Sequence, residues 1–279
     1  MMDEYRVYPK QPFFVLATNK YSKVLLYKYG ISHFYSFSMD ENMDERVVAI
    51  PDGCIDIIFC YNGRERWAHI CGTVLKAQAP FSGIRGAYEI FGVRFMPGVT
   101  PAGFEVKMAD LIGGEKVLSD VEKEAGFSDK MLAAENFADR HAIFMEYYLR
   151  HYTEESQFNA REGLINFVRD EIVKNAGMVS IAEIAEKAGY SDRYINKAFK
   201  EEYGMVPKQF AKIMRFQYLL DHLTLAEGEE VDFAELSVML GYYDQPHMIK
   251  NFKEYTEITP QKYLKLMNQE QFSKRLIIQ

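Results

Sequence analysis

Residues 180–210, SIAEIAEKAGYSDRYINKAFKEEYGMVPKQF, and residues 232–263, DFAELSVMLGYYDQPHMIKNFKEYTEITPQKY, are one pattern written twice. Ser180 and Glu183 align with Asp232 and Glu235, Gly189-Tyr190 with Gly241-Tyr242, Phe199-Lys200 with Phe252-Lys253, and Pro207 with Pro260. The offset is 52 residues at the Gly-Tyr pair and 53 at the Phe-Lys pair, so the second copy has one extra residue in its turn. A unit duplicated with its turn and anchors intact is one supersecondary element used twice. Ser180 and Glu183 make a capping box, and Asp232 with Glu235 offers the equivalent start. Glycine before each tyrosine supplies the positive φ that a tight turn between crossed helices needs. Ser191 and Asp244 then cap a second helix. The spacing predicts two helix-turn-helix units, 180–204 and 232–257, joined by a continuous helix over 208–223.

Counting from Ser191 and Asp244 sorts the second helix of each unit into faces. Positions +4 and +8, Ile195 and Phe199 in one copy and Met248 and Phe252 in the other, are inward anchors. Positions +2, +5, +6 and +9 lie opposite them. In copy one these are Arg193, Asn196, Lys197 and Lys200; in copy two they are Pro246, Ile249, Lys250 and Lys253. Arg and Asn pair with guanine and adenine edges, and Lys serves bases or phosphates. Gln245 and His247 flank Pro246 within reach of bases, and Ile249 suits a thymine methyl. A charged stripe on one short helix is ordinarily a solvated face; two such stripes in a duplicated frame point to double-stranded DNA. A stiff connecting helix would let one chain address two successive major grooves, about 34 Å apart. Copy one alone has a fully polar face, so it is expected to supply most base discrimination and copy two more backbone positioning.

Composition bounds this reading. The chain has 279 residues, long enough for two domains, with a net charge of −7. Up to residue 160 there are 17 Lys and Arg against 22 Asp and Glu; beyond it, 16 against 18. Even the helical half is slightly acidic, which argues against indiscriminate coating of nucleic acid. Its positive charge must be placed locally, and binding should be salt-sensitive. Three cysteines, Cys54, Cys60 and Cys71, form no CxxC pair, as expected of a reducing cytoplasm. No leader-like or membrane-spanning apolar run is seen, so no membrane partner is expected.

Residues 1–105 read as strands and turns. In 47–63, VVAIPDGCIDIIFCYNG, Ile55, Ile57 and Phe59 share one face while the other is also largely apolar, as in a strand buried on both sides. Asn62-Gly63 marks a hairpin. Further strands are expected at 66–75 and 87–95, and a small β-barrel or sandwich overall. A short helix is expected at 106–111 and a long one from Ser128 or Asp129 to about Tyr152, with 153–157, TEESQ, as linker. The fold class is therefore α+β: an N-terminal domain over 1–152 with its own closing helices, and an all-α domain over 161–279.

Chemistry is sparse in the first half. His33 and His69 stand alone, without HxH or a matching Glu, so no metal, cofactor or catalytic residue is assigned. Cys54 and Cys60 read as small buried hydrophobes. Trp67, Tyr61, Arg85 and Arg94 are the residue types that line small-ligand sites, and they are the candidate effector contacts.

Residues 161–267 resemble the DNA-binding domain of the AraC/XylS transcription regulators, through EIAEKAGYS…I…AFK..YG..P and ELSVMLGYYD…M..NFKEYTEITPQKY. Glu257, Leu219, Pro246 and Ile249 depart from that pattern: a glycine, a small linker residue and more polar reading positions are usual there. The segments PDGCIDIIF and GVRFMPG look like the cupin-like domains attached to some members. The resemblance implies a cytoplasmic regulator, more often an activator that contacts RNA polymerase. Its N-terminal domain would sense a small molecule or mediate homodimerisation through the following helices. The alternative is an enzyme-like or metal-binding N-terminal domain, such as a cysteine alkyl-acceptor or metal-dependent barrel, fused to a DNA-binding module.

Overall fold

The computed structural model describes residues 7–39, 48–63, 65–80, 87–152 and 160–279. Helix α1 (Pro12–Ala17) leads into strands β1 (Tyr21–Lys28), β2 (Ile31–Met39), β3 (Asp56–Tyr61), β4 (Arg66–Cys71), β5 (Tyr88–Phe95) and β6 (Glu115–Val117). The β3–β4 hairpin turns where Asn62-Gly63 predicted it, with Asn62 Oδ1 accepting the Glu65 N–H at 2.6 Å. Strand β3 is buried along its whole length because β4 and β5 flank it and both of its faces are covered.

The α+β class holds, and among the described residues the strands make one seven-stranded sheet in the order β6-β4-β3-β5-β2-β1-β7. The seventh strand, β7 (Leu276–Ile278), was not expected. It pairs in parallel with β1, Tyr21 opposite Leu276, so the last residues of the helical half lie in the N-terminal sheet. The helix expected from 128 to 152 is two helices, α2 (Phe127–Ala133) and α3 (Phe137–His151). Asn136 breaks it by acting as an N-cap, its Oδ1 accepting from the Asp139 N–H at 3.0 Å. Within 106–111 there is only a 3-10 turn, Met108–Asp110. The linker expected at 153–157 lies outside the described residues.

The second half follows the repeat. Helix α4 (Ala160–Lys174) precedes α5 (Ile181–Ala188), α6 (Asp192–Tyr203), α7 (Pro207–Leu225), α8 (Phe233–Met239), α9 (Gln245–Thr256), α10 (Pro260–Gln269) and α11 (Phe272–Arg275). Ser180, Ser191, Asp232 and Asp244 all accept backbone N–H groups at helix starts, as read from the sequence. Leu219, unusual in the resemblance, is fully buried on α7.

Buried apolar side chains of the sheet, of α2–α3 and of the helical half form one continuous cluster. Polar contacts cross the junction as well. The Tyr203 hydroxyl donates to Gly98 O at 2.9 Å, and Gln217 Nε2 to Pro51 O at 2.8 Å. Lys10 pairs with Asp221 at 2.7 Å, and Arg275 donates to Leu16 O and Thr18 O. The linker helix α7 therefore packs on both halves.

One departure in the repeat has an energetic consequence. Copy one ends its second helix with Gly204 at φ 69°; copy two puts Glu257 there at φ 63°. A non-glycine residue in this region costs roughly 1–2 kcal/mol. Glu257→Gly is expected to stabilise the chain by about 1 kcal/mol, part of the strain being offset by the greater freedom of glycine in the unfolded state. Thermal melts of the pair test this, and a lower Tm for the variant would contradict it.

Candidate nucleic-acid interface

Each unit builds its reading helix by local rules. Helix α5 ends at Gly189 (φ 72°), where the Tyr190 N–H returns to Ala185 O at 3.2 Å. Ser191 Oγ then accepts from Tyr194 N–H at 3.3 Å and starts α6. In copy two the Tyr242 N–H returns to Ser237 O at 3.0 Å, and Asp244 Oδ1 accepts from His247 N–H at 2.7 Å. The anchors Ile195, Phe199, Met248 and Phe252 are all buried.

The opposite faces are open. Arg193, Lys197 and Lys200 are exposed on α6. Asn196 is half-buried, and its Nδ2 donates to Asp192 O at 2.8 Å, so its amide is parked on its own helix. Lys197 lies 4.0 Å from Glu201, which also pairs with Arg161. On α9, His247, Lys250 and Lys253 are exposed, while Gln245 and Ile249 are half-buried. All nine sequence-derived positions thus lie on two helices whose inward faces are fixed by buried anchors.

Several exposed side chains beside these faces carry no motif of their own in the sequence. Tyr190 and Tyr194 stack on each other, ring centroids 5.3 Å apart. Tyr243, the extra residue of the second turn, is 91% exposed immediately before the Asp244 cap. Its signal was the one-residue change in register. Arg215 on α7 was also missed: its Nη2 donates to Gly177 O at 2.8 Å and its Nη1 to Gly241 O at 2.9 Å.

The three candidate effector residues that are described, Trp67, Tyr61 and Arg94, do not converge. A cavity of about 260 Å³ opens beside the sheet, lined among others by Tyr35, Asp52, Asp56, Thr73, Arg94 and Glu115. Arg94 reaches it, but its guanidinium is engaged with Asp56, Nε to Oδ1 at 3.0 Å and Nη2 to Oδ2 at 2.9 Å, with Asp52 at 3.6 Å. Tyr61 points elsewhere: its hydroxyl donates to Met131 O at 2.9 Å, and the Arg140 guanidinium sits 3.8 Å above its ring. Trp67 lies beside His69, ring centroids 4.8 Å apart, and is not among the cavity's lining residues. Arg85 falls outside the described residues. Burial pushes the thiols of Cys54, Cys60 and Cys71 well up, which makes them poor nucleophiles. Among the described residues no group of three His, Cys, Asp or Glu side chains could hold a metal ion, and no helix is long and apolar enough to cross a membrane.

Comparison with known proteins bears on both halves. Residues 184–266 match the family described as "Helix-turn-helix domain", and residues 28–115 match a "Domain of unknown function (DUF6597)". The chain is similar to the "Probable transcription factor PqrA" of Proteus vulgaris, 23% identical over 105 residues, covering 38% of this chain and 83% of that protein. It is also similar to the "Msm operon regulatory protein" of Streptococcus mutans, 27% identical over 128 residues, covering 44% of this chain and 43% of that protein. Among solved structures, ToxT from Vibrio cholerae aligns over 84% of this chain and 97% of its own, at 11% identity and a TM-score of 0.39. The duplicated units, their four N-caps and the matched domain together make the helical half a DNA-binding helix-turn-helix domain, similar to those of transcription regulators.

Proposed function

We propose that this regulator recognises promoter DNA with α6 and α9 in successive major grooves, α6 reading bases and α9 chiefly fixing position on the backbone. The observation that carries this is the pair of faces opposite buried anchors, with Arg193, Lys197 and Lys200 exposed and Asn196 half-buried on one helix, and Lys250 and Lys253 exposed and Ile249 half-buried on the other; Gln245 and His247 stand at the start of the second helix. Arg193 and Lys200 are free to turn toward a groove, whereas Asn196 must first release Asp192 O.

The N-terminal sheet is read as the sensing half. The cavity beside Arg94 is the candidate effector site, and α7, in contact with both halves, is the route by which its occupancy would reach the reading helices. The groove between α2 and α3, about 510 Å³ and lined by Phe127, Ile143 and Tyr147, supports homodimerisation through those helices. Activation through contact with RNA polymerase, action in the cytoplasm and absence of enzymatic turnover complete the reading.

Gel shifts on a target enriched from random duplex DNA test the DNA assignment. Arg193→Ala and Asn196→Ala are each expected to weaken specific binding by about 1–3 kcal/mol, roughly 5- to 150-fold, and to leave non-specific binding nearly unchanged. Lys200→Ala is expected to weaken both and to reduce the salt slope by about one. No loss in any of the three variants would sink the assignment.

A further inference from the structure

Arg215 occupies a place that neither reading face explains. It projects from the linker helix, and its two terminal nitrogens donate to Gly177 O at 2.8 Å and to Gly241 O at 2.9 Å. Gly177 closes the helix before the first unit; Gly241 is the turn glycine inside the second. Both are in the left-handed region, at φ 71° and 65°. The guanidinium also lies 5.7 Å from the ring centroid of Tyr242, the residue that follows the turn glycine. One side chain thus grips a carbonyl at the entrance of unit one and a carbonyl in the turn of unit two. The two attachment points are close: a Cβ built on Gly241 would touch Met178 at 3.5 Å.

The chemistry suits the task. Guanidinium is planar, permanently charged and rigid in its fork, so bonds to two carbonyls fix both direction and distance. A lysine offers one point charge on a flexible stem and cannot hold both in a set geometry. The turn that Arg215 holds aims α9, because Asp244, its N-cap, stands only three residues beyond Gly241.

We propose that Arg215 is a positioning residue that sets the spacing and angle between the two reading helices, and hence the separation of the two DNA half-sites the protein accepts. It acts without touching DNA. This rests on the proposed reading of α6 and α9 as the DNA-facing helices.

The test is selection from random duplex DNA by the full chain, comparing wild type, R215M and R215K, with helicity checked by circular dichroism. Wild type is expected to enrich two short motifs at one separation. R215M is expected to enrich the same two motifs at several separations, and to bind the wild-type target about tenfold more weakly. R215K should fall between. The salt slope on that target should not change, because no phosphate contact is lost; a slope lower by about one would make Arg215 a phosphate contact and overturn the proposal. R215M and R215K keeping a single separation with affinity within about twofold of wild type would also overturn it, as would loss of the motifs themselves by folded protein. Failure of wild type to enrich any motif would instead remove the DNA reading, and this proposal with it.

Discussion

Gly177→Ala is expected to lower the unfolding free energy by about 3–5 kcal/mol and to abolish specific DNA binding. Two effects add. Gly177 sits at φ 71°, where a side chain costs roughly 1–2 kcal/mol. The added Cβ would also stand 1.9 Å from Ala211 O and 3.0 Å from Arg215 N, both backbone atoms of α7 that cannot rotate away. Relief would require α4 to lift from the linker helix, opening a contact in the continuous core. Gly189→Ala separates the two effects. Gly189 has nearly the same φ, 72°, but nothing within 4 Å of the added carbon. It should show the backbone cost alone, about 1–2 kcal/mol. Denaturant melts of both variants decide the matter, and equal losses would mean the close approach to α7 is not real.

Arg94→Met is expected to cost about 3–5 kcal/mol at pH 7, because it strands two buried carboxylates. Arg94 is 5% exposed, and Asp52 and Asp56 are 2% and 8% exposed. Asp52 retains bonds from Gln11 Nε2 and the Cys54 N–H, and Asp56 one from the Tyr35 hydroxyl, but neither keeps a cation. The loss should depend on pH. Burial already pushes the Asp56 carboxyl up against the pull of Arg94, and removing the guanidinium pushes it further. A carboxyl whose folded value lies above its unfolded one, about 3.9, holds its proton in the folded state. The variant is therefore least impaired near pH 4 and loses stability relative to wild type as the pH rises toward 7. Adding Asp56→Leu should recover much of the loss, since an apolar replacement of a buried pair is often neutral or better. A pH-independent deficit with no recovery in the double variant would show that packing, not stranded charge, sets the cost.

The repeat was legible because its information is local. Ser180, Ser191, Asp232 and Asp244 announce helix starts within three residues of the N–H groups they cap, and Ile195, Phe199, Met248 and Phe252 repeat at helical spacing. The break between α2 and α3 was hidden by the run Ala133-Ala134-Glu135, whose helix preference outweighs a single Asn136 on local propensity. The effector candidates were chosen by residue type, and type does not say where a side chain is spent. Arg94 finds Asp56 across 38 residues of sequence, and Tyr61 finds Met131 across 70. Arg215 was invisible for the same reason: its acceptors are backbone carbonyls, which leave no mark in the sequence.

The parallel pairing of β7 with β1 bears on the order in which the chain acquires its structure. Tyr21 must meet Leu276, and Lys23 must meet Ile278, so this ladder closes across the rest of the sheet and every helix of the second half. During synthesis β1 can pair with β2 at once, but its other edge stays open until every helix of the DNA-binding half has left the ribosome. An open edge is a template for pairing with other chains, and Lys20, Lys23 and Lys28 in or next to β1 are the kind of charge that blunts it. The entropic toll of so long a loop grows only with the logarithm of its length. The delay therefore burdens the kinetics of assembly far more than the stability of the finished protein.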